Sequence, residues 1–258
     1  MNNLAEAEII LDQAGTQDTS QAPVSVAVSL FNYASFLPDC LASIAAQHYP
    51  ALELIVVDDH SMRDDSVEVA KAWLAEHAGR FSRVLLLHHR QNQGLAQARN
   101  TAFAHAQAER VFVIDADNEI YPRCITRLSE AMDESGCEAA YSQLEFFGDQ
   151  RQLGYADVWQ PESFEEENFV DAMALISKQA WRDVGGYTHI EGGWEDYDFW
   201  CKFVERGFAG GFVPEMLGRY RVHGTSMLRS ETSSRYASIN IEMSLRHPWL
   251  KLPPAAQG

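Results

Sequence analysis

Val111-Phe112-Val113-Ile114-Asp115-Ala116-Asp117-Asn118 places a carboxylate pair directly behind four apolar, mostly β-branched residues. The apolar run reads as a buried strand. Side chains of an extended chain alternate between its two sides, so Asp115 and Asp117 converge if the strand conformation persists through them. Two carboxylates about 4 Å apart repel by ~4 kcal/mol at an effective dielectric near 20. A proton, a basic side chain or a divalent cation has to relieve that repulsion. Lys and Arg are absent between Val111 and Pro122, which favours a cation. The alternative is a pair of solvated aspartates ahead of a helix opened by Pro122.

Working outward, Val24–Leu30, Leu52–Val57 and Val84–Leu87 read as further strands, with helices over Ser35–Gln47, Asp64–His77 and Gly94–Gln107 between them. Strand starts recur at roughly the 30-residue spacing of a βαβ unit. The expected fold class is α/β, a mostly parallel central sheet with helices on both faces. Beyond a helix after Pro122, strands are expected over Glu138–Phe147, Asn168–Ser177, Phe212–Pro214 and Leu217–Val222. Trp181–Tyr187 reads as a short helix ended by glycine, and Glu195–Arg206 and Ser233–His247 as longer ones. At the other end, Leu4–Leu11 reads as a short helix followed by a polar linker.

Within its 258 residues the hydrophobic content is 46%, ordinary for a globular protein with a sizeable core. A formal net charge of −17 is not ordinary. It repels nucleic acid and anionic lipid, so nucleic acid is not an expected partner, and an anionic small substrate needs a cation as intermediary. The four cysteines are scattered without zinc spacing and read as reduced, packed thiols. No apolar run approaches the ~18 residues of a membrane span, nor is there a signal pattern. The expected location is cytoplasmic, with peripheral attachment at the inner face of the membrane left open.

Open α/β sheets bind ligands beyond the carboxyl ends of their strands. Those ends carry Phe31-Asn32, Asp58-Asp59-His60-Ser61, His88-His89-Arg90 and Asp115-Ala116-Asp117. Neither a G-x-G-x-x-G after the first strand nor a G-x-x-x-x-G-K-[ST] is present, so a phosphate-bearing ligand lacks a glycine cradle. Asp58 and Asp59 could accept hydrogen bonds from a nucleobase or ribose, or simply cap the next helix. Arg99 could grip a base or phosphate, or be a surface arginine. In Trp194-Glu195-Asp196-Tyr197-Asp198, helical spacing puts Asp196 on the face of Phe199, Trp200 and Phe203. Burial there raises its pKa and makes it a better proton acceptor, while the helix N-terminus opposes the shift. Glu195 and Asp198 fall on other faces, solvated or holding local structure. His223 could ligate a metal or pack, and Arg221 or Ser226 could touch phosphate. Trp159 and Phe164 line a sugar site or join the core.

Taken in order, these segments resemble the family-2 glycosyltransferases of GT-A fold over about Val24 to Ser226. The likeness rests on Val24-Ser25-Val26 running to Phe31-Asn32-Tyr33, on Val56-Val57-Asp58-Asp59-His60-Ser61, and on Gly94-x4-Arg99-Asn100. It continues through Asp115-Ala116-Asp117, Gly185-Gly186-Tyr187, Trp194-Glu195-Asp196-Tyr197-Asp198 and Tyr220-Arg221-Val222-His223. The resemblance implies transfer of a sugar from a nucleotide-diphosphate donor to an acceptor hydroxyl on a glycan, a lipid-linked or another molecule, with inversion. It implies donor contacts from Phe31, Asp58, Asp59, Arg99, Asp115 and Arg221. Mn or Mg would be held by Asp117 with Asp115 and His223, Asp196 would be the general base, and Trp194 and Glu195 would lie on the acceptor side. Phe31 stands where the family often has Tyr or Pro, and His60 where it often has Gly, Asn or Ser. The expected division is an extension over 1–22, a GT-A domain over 23–226 (nucleotide half 23–120, acceptor half 121–226) and a helical tail over 227–258.

Three rivals differ on the same residues. An aspartate-nucleophile phosphohydrolase carries its D-x-D on the first strand, whereas here it follows the fourth. A nucleotidyltransferase needs a glycine- and lysine-rich stretch after the first strand, which Ser29–Leu37 lacks. A non-catalytic sugar- or nucleotide-binding module of the same fold requires Asp196 to be a structural cap.

Overall fold

The computed structural model describes residues 6–16, 21–224 and 233–252. Its first half runs β1 (Ala7–Ala14), β2 (Val24–Leu30), α1 (Leu37–Ala45), β3 (Leu52–Asp58), α2 (Ser66–His77), β4 (Arg83–His89), α3 (Leu95–His105) and β5 (Arg110–Asp115). The second half runs β6 (Glu119–Ile120), α4 (Cys124–Ser135), β7 (Ala139–Gly148), β8 (Gln152–Leu153), β9 (Ala174–Ser177), α5 (Lys178–Asp183), α6 (Glu195–Glu205), β10 (Gly210–Val222) and α7 (Ser233–Arg246).

One sheet unites both halves in the order β1-β4-β3-β2-β5-β9-β7-β10-β6, with β8 on β7. The β4-β3-β2-β5 block is parallel, as is the β7–β10 pair, and β9 joins the two blocks antiparallel. Every residue of β2 and β3 is buried, because alternate side chains meet helices on opposite faces. Val26, Val28, Leu54 and Val56 pack with Leu41, Ile44, Leu74 and Leu128 on one face. Ala27, Ile55, Val57 and Val113 pack with Phe103, Trp200 and Phe203 on the other. The chain lays β2, β3 and β4 outward in one direction and then returns β5 to the far side of β2. That reversal opens a crevice where β2 and β5 end, with Ser29 opposite Asp115.

Three expectations are corrected. Residues 7–14 form a strand, not a helix: β1 pairs antiparallel with β4, from Ala7 opposite His89 to Ala14 opposite Arg83. The Ile9-Ile10-Leu11 run satisfies the outer backbone edge of β4, which an isolated two-turn helix could not do. Arg83 secures the join, reaching Asp12 at 2.8 Å and Glu53 at 2.9 Å. Leu4, where that helix was expected to start, lies outside the described residues. Phe212–Pro214 and Leu217–Val222 are one strand, β10, whose register shifts between Val213 and Met216, so Pro214 sits at an irregularity where its missing N–H costs no ladder bond. Only Ala174–Ser177 of the expected Asn168–Ser177 strand is extended pairing. Upstream, the side chains of Asn168 and Asp171 accept from the N–H groups of Val170 and Met173, turning the backbone locally instead. Among the described residues no helix is long and apolar enough to cross a membrane.

Candidate active site

A cleft of about 1350 Å³ opens at the carboxyl ends of β2 and β5. The three non-glycine residues with positive φ among the described residues, Asn32 (55°), His60 (66°) and Trp194 (71°), all sit in loops at this edge. Such conformations cost ~1–3 kcal/mol and persist where the surroundings enforce them. For Asn32 the enforcement is visible: its N–H donates to Ser61 Oγ, and its Oδ1 accepts from the N–H groups of Met62 and Arg63.

On the β2 side, Phe31 lines the cleft and is 41% exposed. Asp59 also lines it, but its carboxylate is engaged from below. Gln93 N–H and Gly94 N–H donate to its two oxygens, and His89 Nδ1 lies 2.7 Å from Oδ1. His89 is held in turn by Thr101. Asp59 therefore fixes the loop that opens α3. Asp58, expected to contact the donor, is fully buried behind it, against the Ser61 N–H and His88 Nδ1, and does not line the cleft.

The D-x-D pair splits. β5 ends at Asp115 and the chain turns there, with Asn118 N–H donating to the Asp115 carbonyl. Asp115 is met by Arg99 Nη2 at 3.0 and 3.2 Å. Burial raises the Asp115 pKa and Asp117 adds to the rise, while the basic side chain from α3 opposes both. Arg99 lines the cleft as well, with Nη2 engaged by Asp115. Burial disfavours its charge, yet Asp115, with Tyr187 and Glu195, holds its pKa above the ordinary arginine value. Asp117 points elsewhere: its Oδ2 lies 3.0 Å from His223 Nε2, a residue 106 positions away at the end of β10. The His223 ring is braced by Tyr33 and Phe36.

Arg221, expected at the donor phosphates, does not line the cleft. Its Nε donates to the Asp117 carbonyl, its Nη2 to Glu119, and its backbone N–H to Asn118 Oδ1, while the guanidinium packs on Phe36 and Phe147. It shapes the Asp117 turn. Ser226 lies outside the described residues. Trp159 and Phe164 are core: Phe164 is fully buried, and Trp159 packs on Trp200 and Phe203.

Across the cleft, the left-handed Trp194 caps α6 and turns its first residues inward. Asp196 lines the cleft and accepts from Asn168 Nδ2 at 2.9 Å. Burial raises its pKa above the ordinary carboxylate range, against the pull of Arg99, the Tyr197 N–H and Asn168. The desolvation and helix-terminus effects that opposed each other in the sequence thus resolve in favour of desolvation. Glu195 also lines the cleft, only 4% exposed, and burial pushes it up to about 7. Asp171, unremarked in the sequence, faces the same space and is pushed by burial to about 7 despite the Met173 N–H. Reading Asn168–Ser177 as strand hid both Asn168 and Asp171. Their signal was an Asn and an Asp each two residues before an N–H they accept.

Asn100, beside Arg99, does separate work. Its Nδ2 donates to the Tyr187 carbonyl, and its Oδ1 accepts from Tyr187 N–H and Trp181 Nε1. A Cβ on Gly186, at φ 75°, would come within 2.7 Å of that oxygen. The Gly185-Gly186-Tyr187 turn is therefore built onto α3. Asn100→Ala strands buried backbone groups of Tyr187 and is expected to lower stability by ~2–3 kcal/mol, measured by urea denaturation.

This chain is similar to GlyG of Streptococcus pneumoniae serotype 4, a glycosyltransferase, at 30% identity over 115 residues, which is 45% of this chain and 36% of GlyG. Among solved structures it is similar to S. aureus TarS 1–349 in complex with UDP-GlcNAc, with a TM-score of 0.70 at 16% identity over 86% of this chain and 66% of that one. It is also similar to the mannosyltransferase PcManGT from Pyrobaculum calidifontis in complex with GDP-Man and Mn2+, with a TM-score of 0.64 at 21% identity over 90% of this chain and 65% of that one. The chain thus spans about a third of GlyG and just under two thirds of the two structures. The two structural likenesses establish the α/β GT-A fold. The model of Glycosyl transferase family 2 matches residues 25–176, more than half of the chain, and the chain belongs to that family.

Proposed function

We propose that the chain is an inverting, metal-assisted glycosyltransferase that moves a sugar from a nucleotide-diphosphate donor to an acceptor hydroxyl, with Asp196 as general base. One observation carries the reading: Asp117, which His223 meets at 3.0 Å, and the desolvated Asp196 line one cleft although they lie far apart in the chain. On this reading residues 23–120 form the donor half and 121–226 the acceptor half.

The residues fit a divalent cation. A carboxylate oxygen and an imidazole nitrogen are both donors that such a cation takes, and Asp117 and His223 would hold it. Asp117 Oδ2 and His223 Nε2 are 3.0 Å apart. No group of three or more His, Cys, Asp or Glu able to hold a metal occurs among the described residues. A carboxylate with an imidazole suits Mn at least as well as Mg, and the Mn2+ in PcManGT is in keeping with this. When bound, such an ion offsets the charge that develops on the departing diphosphate.

The chain's own groups do the rest. Phe31 offers an exposed aromatic face to the donor base, beside the loop that Asp59 fixes. Arg99 pairs with Asp115 beneath the donor and favours its anion against the burial that raises its pKa. Asn168 holds the Asp196 carboxylate in orientation. The acceptor oxygen attacks the anomeric carbon from the face opposite the diphosphate, a C–O bond forms as the sugar–phosphate bond breaks, and the hydroxyl proton passes to Asp196.

A thermal-shift screen of nucleotide sugars with Mn present tests the reading. One donor should raise the melting temperature, and transfer should stop in chelator and return with Mn or Mg. Asp117→Ala should abolish transfer, with unchanged circular dichroism. Full activity in chelator would falsify the metal assignment.

A further inference from the structure

From the acceptor half of this cleft we infer that the acceptor is a saccharide without anionic groups, offering hydroxyl donors to carboxylates and a ring face to aromatic side chains. The inference rests on reading the cleft as a glycosyltransferase site and names the chemistry of its second substrate.

Charge argues first. Glu166, Glu167, Asp171, Glu195 and Asp196 all line this half. The basic residues among the described lining are Arg63, Arg99 and His189. Arg99 is already matched by Asp115, and His189 lies 3.3 Å from Glu191. Arg63 belongs to the loop held by Asn32 on the donor side. A phosphate or uronate on the acceptor would therefore meet carboxylates with no unmatched cation on this side among the described lining residues, and like charges facing each other across an interface are disfavoured.

Glu195 supplies a second, independent observation. Its side chain is nine-tenths buried and faces the cleft, and no described side chain hydrogen-bonds it, Arg99 and His189 acting on it through charge alone. A buried polar group needs hydrogen-bond partners, and the cleft is the side from which a further one can reach Glu195. When ionised, Glu195 accepts a hydrogen bond that a sugar hydroxyl can give and an ionised phosphate or carboxylate cannot. Aromatic surface completes the match. Trp194 stands edge-on to Tyr236 with ring centroids 5.6 Å apart, and Tyr155 is 66% exposed at the opposite wall. Rings with an apolar body and a polar tip suit a partner that has both C–H faces and hydroxyls.

The test is binding of saccharides to the full chain without donor or metal, so that it stands apart from catalysis. A glycan array and saturation-transfer NMR would compare neutral oligosaccharides with uronate-bearing and phosphate-bearing ones of matched length. Neutral oligosaccharides should bind at least tenfold more tightly, and raising the salt should narrow the gap. The double variant Glu166→Lys, Glu167→Lys alters two exposed side chains and should raise relative binding of anionic saccharides at least tenfold. Equal or tighter binding of the anionic set by the unaltered chain would overturn the inference, as would binding of neither class at millimolar concentration. Failure of transfer in the donor and chelator experiments, with neutral-saccharide binding intact, would overturn the catalytic reading alone.

Discussion

Asp196→Asn is expected to bind the nucleotide donor with unchanged affinity and to lose turnover by about 10²–10⁴-fold, the range general-base catalysis contributes. The amide preserves size and can still meet Asn168, so the cleft keeps its shape while the proton acceptor is gone. Calorimetry of donor binding beside a kcat measurement separates the two effects. Parallel loss of donor affinity would make Asp196 a binding residue. The same residue sets a pH dependence. Burial raises its pKa, with Arg99, the Tyr197 N–H and Asn168 opposing. The active form is the anion, so kcat should fall as pH drops through a value above the ordinary ~3.9 of an aspartate. Asn168→Ala removes a hydrogen bond that favours the anion and should move this acid limb to higher pH. Glu195 and Asp171, both near 7, titrate in the same cleft, so the limb belongs to the group of carboxylates as a whole.

Asp198→Asn should produce the largest loss of stability, ~3–5 kcal/mol, because it leaves buried cations facing a neutral group. Asp198 is fully buried two residues beyond Asp196. It meets Lys202 Nζ at 2.8 Å, Arg246 Nε at 2.6 Å and His247 Nε2 at 3.1 Å, while His247 Nδ1 reaches Glu205 at 2.7 Å. These contacts tie α7 and the residues after it to α6, and α7 brings Tyr236 to the cleft. Urea denaturation should show the loss, and limited proteolysis should show earlier cleavage around α7. Burial opposes ionisation of Asp198, but His247, Lys202 and Arg246 outweigh it and hold its pKa well below the usual carboxylate range. Its stabilisation is therefore present above ~3.9 and lost as pH falls through the lowered value. Burial of His247 works against its charge, yet Asp198 and Glu205 raise its pKa above 6.5. That contribution is complete below 6.5 and lost as pH rises through the raised value. Docking of α7 should consequently be firmest from mildly acidic to neutral pH and weaken on the alkaline side, a trend Asp198→Asn should blunt.

The motif Trp194-Glu195-Asp196-Tyr197-Asp198 shows where local reading succeeds and where it stops. Helical spacing singled out Asp196, which lines the cleft, but it placed Glu195 on a solvated or local face, whereas Glu195 is 4% exposed and lines the cleft beside it. The same spacing left Asp198 as a local or solvated residue, because its partners Arg246 and His247 lie almost fifty positions on. Arg99 and Asn100 repeat the lesson. Adjacent in sequence, they serve Asp115 and the Tyr187 turn, two destinations that only the crossing of α3 over the sheet brings within reach.

By itself the sequence determined the alternation of apolar strands and helices, the edge at which polar residues gather, and the family. Each of these depends on periodicity and short-range order, which a chain carries whether or not it is folded. Tertiary structure alone decided that residues 7–14 complete the sheet, that Arg99 pairs with Asp115, and that His223 stands beside Asp117. Those outcomes depend on which side chains come within about 3 Å across separations of 16 to more than 100 residues, a distance that no local pattern encodes.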